Sequence, residues 1–303
     1  MIKNYILLVS FYILGVSSFA FELPEVTGHL NISLSRLETG FNDSPEGLIF
    51  SGGSFGSTHR STHSAFVVKH SSGNFLIDSG LGKNIDKQFE DFSWMFKPFF
   101  SYVKEVPAIE SIKELSIDKI FITHLHWDHA SGISDFPNAK VFTTAQEKEH
   151  AFSDVAKSGV GYLFNQYSSK LIRWGELKLE DKEYGPFRKS LDFFGDGSFI
   201  VVALPGHTPG SVGFILNLSQ EQRFFFVGDS IWSVKQLNPV AEKFFISKKL
   251  VDERPETLLE TIELISNISK KNKSLVVVPS HDYPHISKRI PVYPEFLGNK
   301  KGQ

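Results

Sequence analysis

Cysteine is absent from all 303 residues. No disulfide framework, thiolate metal ligand, thiol nucleophile or lipid-modified N-terminal cysteine is available, so chemistry has to run on oxygen and nitrogen groups. An excess of charge is also missing, since 32 basic side chains stand against 34 acidic ones for a net charge of -2. That balance offers no electrostatic footprint for nucleic acid or an anionic membrane surface, and neither is expected as a partner. Beyond Ala20 the chain has no low-complexity tract, long linker or solenoid-period repeat, and the body reads as a single domain over 21–303.

The first 20 residues read as an address. Lys3 carries the one positive charge, Tyr5 to Val16 is almost wholly apolar, and Ser18-Phe19-Ala20 has small residues where a signal peptidase needs them. A signal peptide over 1–20 implies an exported, periplasmic or secreted protein without stable membrane insertion. The competing reading is an uncleaved anchor, because the uncharged stretch approaches the bilayer-spanning minimum of about 17 residues.

Apolar residues make up 41% of the chain, enough for a large core, and 29 of them are phenylalanine. Short runs rich in Val, Ile and Phe predict strands at Ala65 to Lys69, Asn74 to Ile77, Lys119 to Thr123, Lys140 to Thr143, Phe199 to Leu204, Val212 to Leu216, Arg223 to Val227 and Ser274 to Val278. Between them, Pro255 to Lys271 has a helical stripe of Leu258, Leu259, Ile262, Ile265 and Ile268, with Pro255 suited to the first turn. Shorter helices are expected at Ala108 to Leu115 and Thr144 to Phe152. Strands mixed with helices in this way indicate α/β sheets covered by helices.

The residues that carry chemistry stand just past the strands. His124-Leu125-His126-Trp127-Asp128-His129 succeeds one strand, and His207, Asp229 and His281 succeed three others. Strand ends hold side chains rigidly and are where α/β sheets collect binding groups. Two histidines at i and i+2 with further donors at i+4 and i+5 converge when the chain bends tightly, and Gly132 suits such a bend. Imidazole with carboxylate suits zinc, iron or manganese. His29, His59, His70 and His150 have no such setting and read as surface or satisfied core residues.

Taken together, Thr-His-Leu-His-Trp-Asp-His-Ala-Ser-Gly, Leu-Pro-Gly-His-Thr-Pro-Gly-Ser, Val-Gly-Asp and Pro-Ser-His-Asp resemble the metallo-β-lactamase superfamily of hydrolases. The resemblance runs from about Leu34 to about Tyr283 and is closest to the lactonase-like branch. It implies a four-layer αββα sandwich with the site along one edge of the two sheets. It further implies two divalent ions, zinc or alternatively manganese, iron or cobalt. His124, His126 and His207 would hold one ion, Asp128, His129 and His281 the other, and Asp229 would bridge them. Leu76-Ile77-Asp78-Ser79-Gly80 resembles the early strand-and-turn motif in which Asp78 supports the ligands from behind.

Such a pair of ions lowers the pKa of a shared water towards about 7. The expected reaction is attack of the resulting hydroxide on an ester-like carbonyl of a small molecule, most simply a lactone or ester, with Asp128 moving the proton. Where acyl-homoserine lactonases carry a substrate-binding Tyr three residues after the bridging Asp, this chain has Trp232; Tyr283 is an alternative hydroxyl donor. Glyoxalase-II-like thioester hydrolysis is the nearest rival, β-lactam hydrolysis ranks below it, and a non-catalytic metal- or partner-binding protein is the reading from a different class. The aromatic segment Phe89 to Tyr102 suits a lid, an acyl-chain groove, an oligomer contact or a helix docked in the core. Oligomeric state is left open.

Overall fold

The computed structural model describes residues 21–27 and 30–298, so the 1–20 segment and His29 lie outside the described residues. Among the described residues, thirteen strands form two sheets. In chain order they are β1 (Ile32–Pro45), β2 (Thr58–His70), β3 (Phe75–Ile77), β4 (Val103–Lys104), β5 (Lys119–Phe121), β6 (Lys140–Thr143), β7 (Arg173–Glu176), β8 (Ser190–Asp192), β9 (Phe199–Ala203), β10 (Val212–Asn217), β11 (Arg223–Gly228), β12 (Leu275–Pro279) and β13 (Leu297–Gly298). The first sheet runs β13-β1-β2-β3-β5-β6-β7 with β4 paired to β1, and the second runs β12-β11-β10-β9-β8. Strands β3, β5, β6 and β7 pair in parallel, as do β11 and β12, so their carboxyl ends point the same way within each sheet.

Alternation along each strand sorts side chains between two faces. Phe66 and Val68 of β2, Phe75 and Ile77 of β3, and Phe214 and Leu216 of β10 point into one buried cluster shared by both sheets. Their neighbours Ala65, Val67 and Leu76 turn to the opposite face of the first sheet, against Ala108, Ile112 and Ile133. Ile215 and Val227 turn outward from the second sheet onto Leu258, Ile262 and Ile265 of the helix Pro255–Lys271. Helix, sheet, sheet and helix therefore form the expected four-layer αββα sandwich.

Each strand expected from the sequence has a counterpart, displaced by a residue or two at the ends except for β2, which begins at Thr58, seven residues before the expected Ala65. The helix Pro255–Lys271 keeps its expected limits, whereas that from Ala108 stops at Ser111. Strand β1 is a substantial element that apolar runs do not announce. It buries Ser35, Arg36 and Thr39 beside Leu34 and Leu37, and its register with β2 shifts between Glu38 and Phe41, so period-two alternation is broken.

Phenylalanine fills the space between the sheets. The Phe214 ring stacks on Phe199 at 5.2 Å and meets Phe121 of the facing sheet edge-on at 6.1 Å. Removing that ring leaves a cavity which neither sheet can close by itself. Phe214→Ala is expected to lower stability by about 3–5 kcal/mol, seen as a lower urea midpoint at an unchanged slope.

Candidate metal centre

The parallel strands bring their ends to one edge of the sandwich. Asp78 follows β3, His124 to His129 follow β5, His207 follows β9, Asp229 follows β11 and His281 follows β12. After β5 the chain turns sharply: His126 caps the one-turn helix Trp127–Ala130, and both His129 and Ala130 donate backbone N–H bonds to the His126 carbonyl at 3.0 Å. Asp128 and His129 thereby face inward alongside His124 and His126, and all four side chains are buried.

Among the described residues, three sets of buried side chains each bring their ligand-type atoms within 4.8 Å of one another. They are His124, His126 and His207; His124, His129 and Asp229; and His63, Asp128 and His281. The His207 Nε2 atom lies 3.0 Å from His126 Nδ1 and 3.2 Å from His124 Nε2. Asp229 places Oδ1 3.2 Å from His129 Nε2 and Oδ2 3.0 Å from His281 Nε2, so its carboxylate spans the histidines. Asp128 Oδ2 lies 3.3 Å from His281 Nε2. The structure thus gathers His124, His126, Asp128, His129, His207, Asp229 and His281 into one cluster.

The outer ring nitrogens decide what the inner ones can offer. His207 Nδ1 donates to Asp252 Oδ1 at 2.7 Å, His129 Nδ1 to Asp78 Oδ2 at 2.8 Å, and His281 Nδ1 to the Thr62 carbonyl at 3.0 Å. In a neutral imidazole with Nδ1 protonated, Nε2 is a bare lone pair. With each Nδ1 committed to an acceptor, three Nε2 atoms face the cluster, two of them against carboxylate oxygens, an arrangement that calls for positive charge between them, whether a proton or a metal ion. The buried atoms His126 Nε2, His129 Nε2 and Asp229 Oδ1 make no hydrogen bond, which an apolar or purely structural site would not tolerate. The donor set fits divalent cations, with nitrogen and oxygen ligands and no thiolate.

Burial, reinforced by the neighbouring imidazoles, holds His124 and His126 well below the ordinary histidine pKa, so both are neutral, as ligation requires. Burial would also depress His129, but Asp78, Asp128 and Asp229 outweigh it and hold that ring well above the ordinary value. The same contest, decided by Asp229, raises His281. Burial acts to raise Asp128 and Asp229, and the facing histidines nevertheless hold both carboxylates below the ordinary range. The part of the cluster rich in carboxylate is thus built to hold positive charge.

Asp78 adopts a left-handed φ of 52°, rare for a residue with a side chain. Its carboxylate accepts from Thr123 N at 2.8 Å, Thr123 Oγ1 and His129 Nδ1, which places it behind the His129 ring. Trp232 lies beside the cluster with its ring edge-on to His281, and its indole N–H donates to Asp229 Oδ2 at 2.8 Å. Having one donor, Trp232 orients Asp229 with it and presents an apolar face to the cavity. Tyr283 is not brought to the cavity. It begins the short helix Tyr283–Ile286 capped by Asp282, and its ring lies under Arg36 and Arg60, with their Cζ atoms 5.6 and 5.9 Å from its centroid.

A cavity of about 390 Å³ opens over the cluster, lined at its base by His126, Asp128, His207, Asp229 and His281. Its walls are mainly apolar, with Leu48, Ile49, Phe99, Phe100, Ile246 and Leu250 among them. The segment Phe89 to Tyr102 divides its roles. Phe89, Phe92, Phe96, Phe100 and Tyr102 pack around Leu81, Ile85 and Trp127, whereas Phe99 is 65% exposed at the cavity wall. His59, His70 and His150 sit outside the cluster, on the His281 carbonyl, Asp196 and Glu253.

Four participants were not legible in the sequence: His63, Glu147, Lys243 and Asp252. Glu147, fully buried, accepts from Leu125 N, Tyr162 Oη and Thr208 Oγ1, tying together the loops that carry His126 and His207. Lys243 is buried with Nζ 2.7 Å from both Asp252 Oδ1 and the Asp229 carbonyl, so one cation braces both sides of the cluster. Lys243→Met leaves the Asp252 carboxylate buried without its countercharge. A loss of about 3–5 kcal/mol is expected in denaturant unfolding of the variant.

Comparison with known proteins agrees with this geometry. Residues 60–281 match the model of the metallo-beta-lactamase superfamily. An N-acyl homoserine lactonase AttM from Azorhizobium caulinodans is 25% identical over 204 residues, 65% of this chain and 75% of its own length. The N-acyl homoserine lactonase AttM of Agrobacterium fabrum is 23% identical over 72% of this chain and 80% of its own. A solved N-acyl homoserine lactone hydrolase, with the product N-hexanoyl-L-homoserine bound at its catalytic metal center, shares the fold with a TM-score of 0.67 at 15% identity, covering 89% of this chain and 100% of that one.

Proposed function

The chain belongs to the metallo-beta-lactamase superfamily, a metal-dependent hydrolase, and from that premise we propose that it opens the ring of N-acyl homoserine lactones. The observation that carries this reading is a cavity with a buried histidine and aspartate cluster at its base and an apolar wall rising from it. The lactonase relatives support the same substrate class. In this reading His124, His126 and His207 would hold one ion, Asp128, His129 and His281 the second, and Asp229 would serve both. Zinc suits the donors, and manganese, iron and cobalt are alternatives because no thiolate selects among them. When bound, such ions supply Lewis acidity and a hydroxide equivalent at neutral pH.

The protein's own groups do the rest. Asp128, at the cavity base, receives the proton and returns it to the leaving alkoxide. Trp232, through its bond to Asp229 Oδ2, keeps that carboxylate in place. Phe99 and Ile246, exposed yet lining the cavity, take the acyl chain. Export through the 1–20 segment belongs to the same proposal, and a mature N-terminus at Phe21 in mass spectrometry supports it, whereas an intact Met1 rejects it.

A turnover screen of metal-analysed protein against acyl-homoserine lactones, other lactones, aryl esters, thioesters and β-lactams tests the reading. Lactone opening is expected, abolished by chelation and restored by metal; activity confined to thioesters or β-lactams overturns it. Asp128→Asn should keep the first ion, hold the second more weakly, and lower kcat by roughly 10²-fold or more. For the acyl wall, Ile246→Asp should raise KM for a ten-carbon chain about tenfold, some 1.4 kcal/mol, and leave a four-carbon chain nearly unaffected.

A further inference from the structure

His63 is a cavity-lining histidine with no part in the seven-residue assignment above. It comes from within β2, not from a strand end, and is 4% exposed. Its Nδ1 lies 3.0 Å from Asp128 Oδ2, and its ring is tilted against Trp127 at 5.3 Å and edge-on to His281 at 5.5 Å. An ionised carboxylate only accepts, so Nδ1 is the protonated nitrogen in this contact. Among the described residues, the hydrogen bond that reaches the Asp128 carboxylate comes from His63.

That bond acts on a soft coordinate. The carboxylate of Asp128 turns about a terminal torsion with a broad, roughly two-fold profile, so the helical turn that carries Asp128 does not by itself decide where Oδ2 points. Oδ2 has to serve His281 Nε2 at 3.3 Å and His129 Nε2 at 3.9 Å at once. A fixed donor behind it holds that plane, and the packing of the His63 ring against Trp127 holds the donor. Outer partners of this kind change metal affinity or activity by about 10–100-fold.

We propose that His63 is a positioning residue for Asp128, clamping its carboxylate so that the second ion is retained and the proton-carrying oxygen stays aligned with the substrate. The proposal rests on the dinuclear hydrolase reading. It assigns His63 no bond to metal or substrate.

Two variants of the full chain separate the roles. His63→Asn keeps an N–H donor near the position of Nδ1, and His63→Phe keeps the packing on Trp127 without the donor. The readouts are kcat, KM, the chelator concentration that strips the second ion, and the visible spectrum of the cobalt-substituted protein. His63→Phe should lower kcat by about 10–100-fold with KM within about twofold, and release the second ion at about 10–100-fold less chelator. His63→Asn should recover most of both. A His63→Phe protein equal to wild type overturns the proposal while leaving the hydrolase reading intact. His63→Asn as impaired as His63→Phe also overturns it, an altered cobalt spectrum then marking His63 as a ligand and an unaltered one as packing. A wild-type chain that holds no second ion removes both the reading and the proposal.

Discussion

Bare imidazole nitrogens can be packed around a buried point only if each ring is gripped from behind. Asp252, Asp78 and the Thr62 carbonyl supply that grip for His207, His129 and His281, and each fixes a tautomer as well as an orientation. Much of the surrounding structure serves these acceptors. Asp78 takes up a left-handed backbone to reach His129 and the β5 end together. Asp252 is held by buried Lys243, which also reaches the carbonyl of Asp229. The Thr62 carbonyl belongs to β2, so the first sheet steadies a histidine delivered by the second.

Substrate selectivity and metal holding are thereby handled by different layers. The charged cluster lies where the sheet ends meet, whereas much of the apolar cavity wall comes from segments outside the regular strands, including the stretch containing Phe99 and the short helix Phe245–Val251. The wall is thus free to vary in shape without disturbing the acceptors behind the histidines. The seven gathered side chains carry no sulfur, so hard and borderline cations share the same set of atoms.

Sequence reasoning reached what short-range patterns encode. His124, His126, Asp128 and His129 are close along the chain, and His207, Asp229 and His281 each follow an apolar run, so spacing and strand ends disclosed them. His63, Lys243 and Asp252 obey no such rule. Lys243 and Asp252 meet His207 and Asp229 through the folded chain alone, and in sequence they resemble any surface charge. His63 sits in the polar stretch Arg60 to Ser64, which precedes the apolar half of β2 and gives no hint of burial. Strand β1 escaped for a related reason, since its buried Ser35, Arg36 and Thr39 interrupt the pattern that marks a strand. The phenylalanine excess, ambiguous as composition, resolves mainly into the layer between the sheets through Phe66, Phe75, Phe121, Phe199, Phe214 and Phe226.

Gly161 bears on how this site can change. Its carbonyl accepts from Trp127 N at 2.7 Å, its φ is +107°, and a Cβ placed on it would lie 2.7 Å from His126 Nε2. The chain therefore presses its bare backbone against the ring, and any side chain there would push His126 off its partners. At this position drift by single substitution is closed, because every replacement collides with both the backbone conformation and the imidazole. New specificities arising from this scaffold, by natural divergence or in a laboratory library, have to enter at other lining positions such as Phe99 and Ile246, which face water and tolerate exchange.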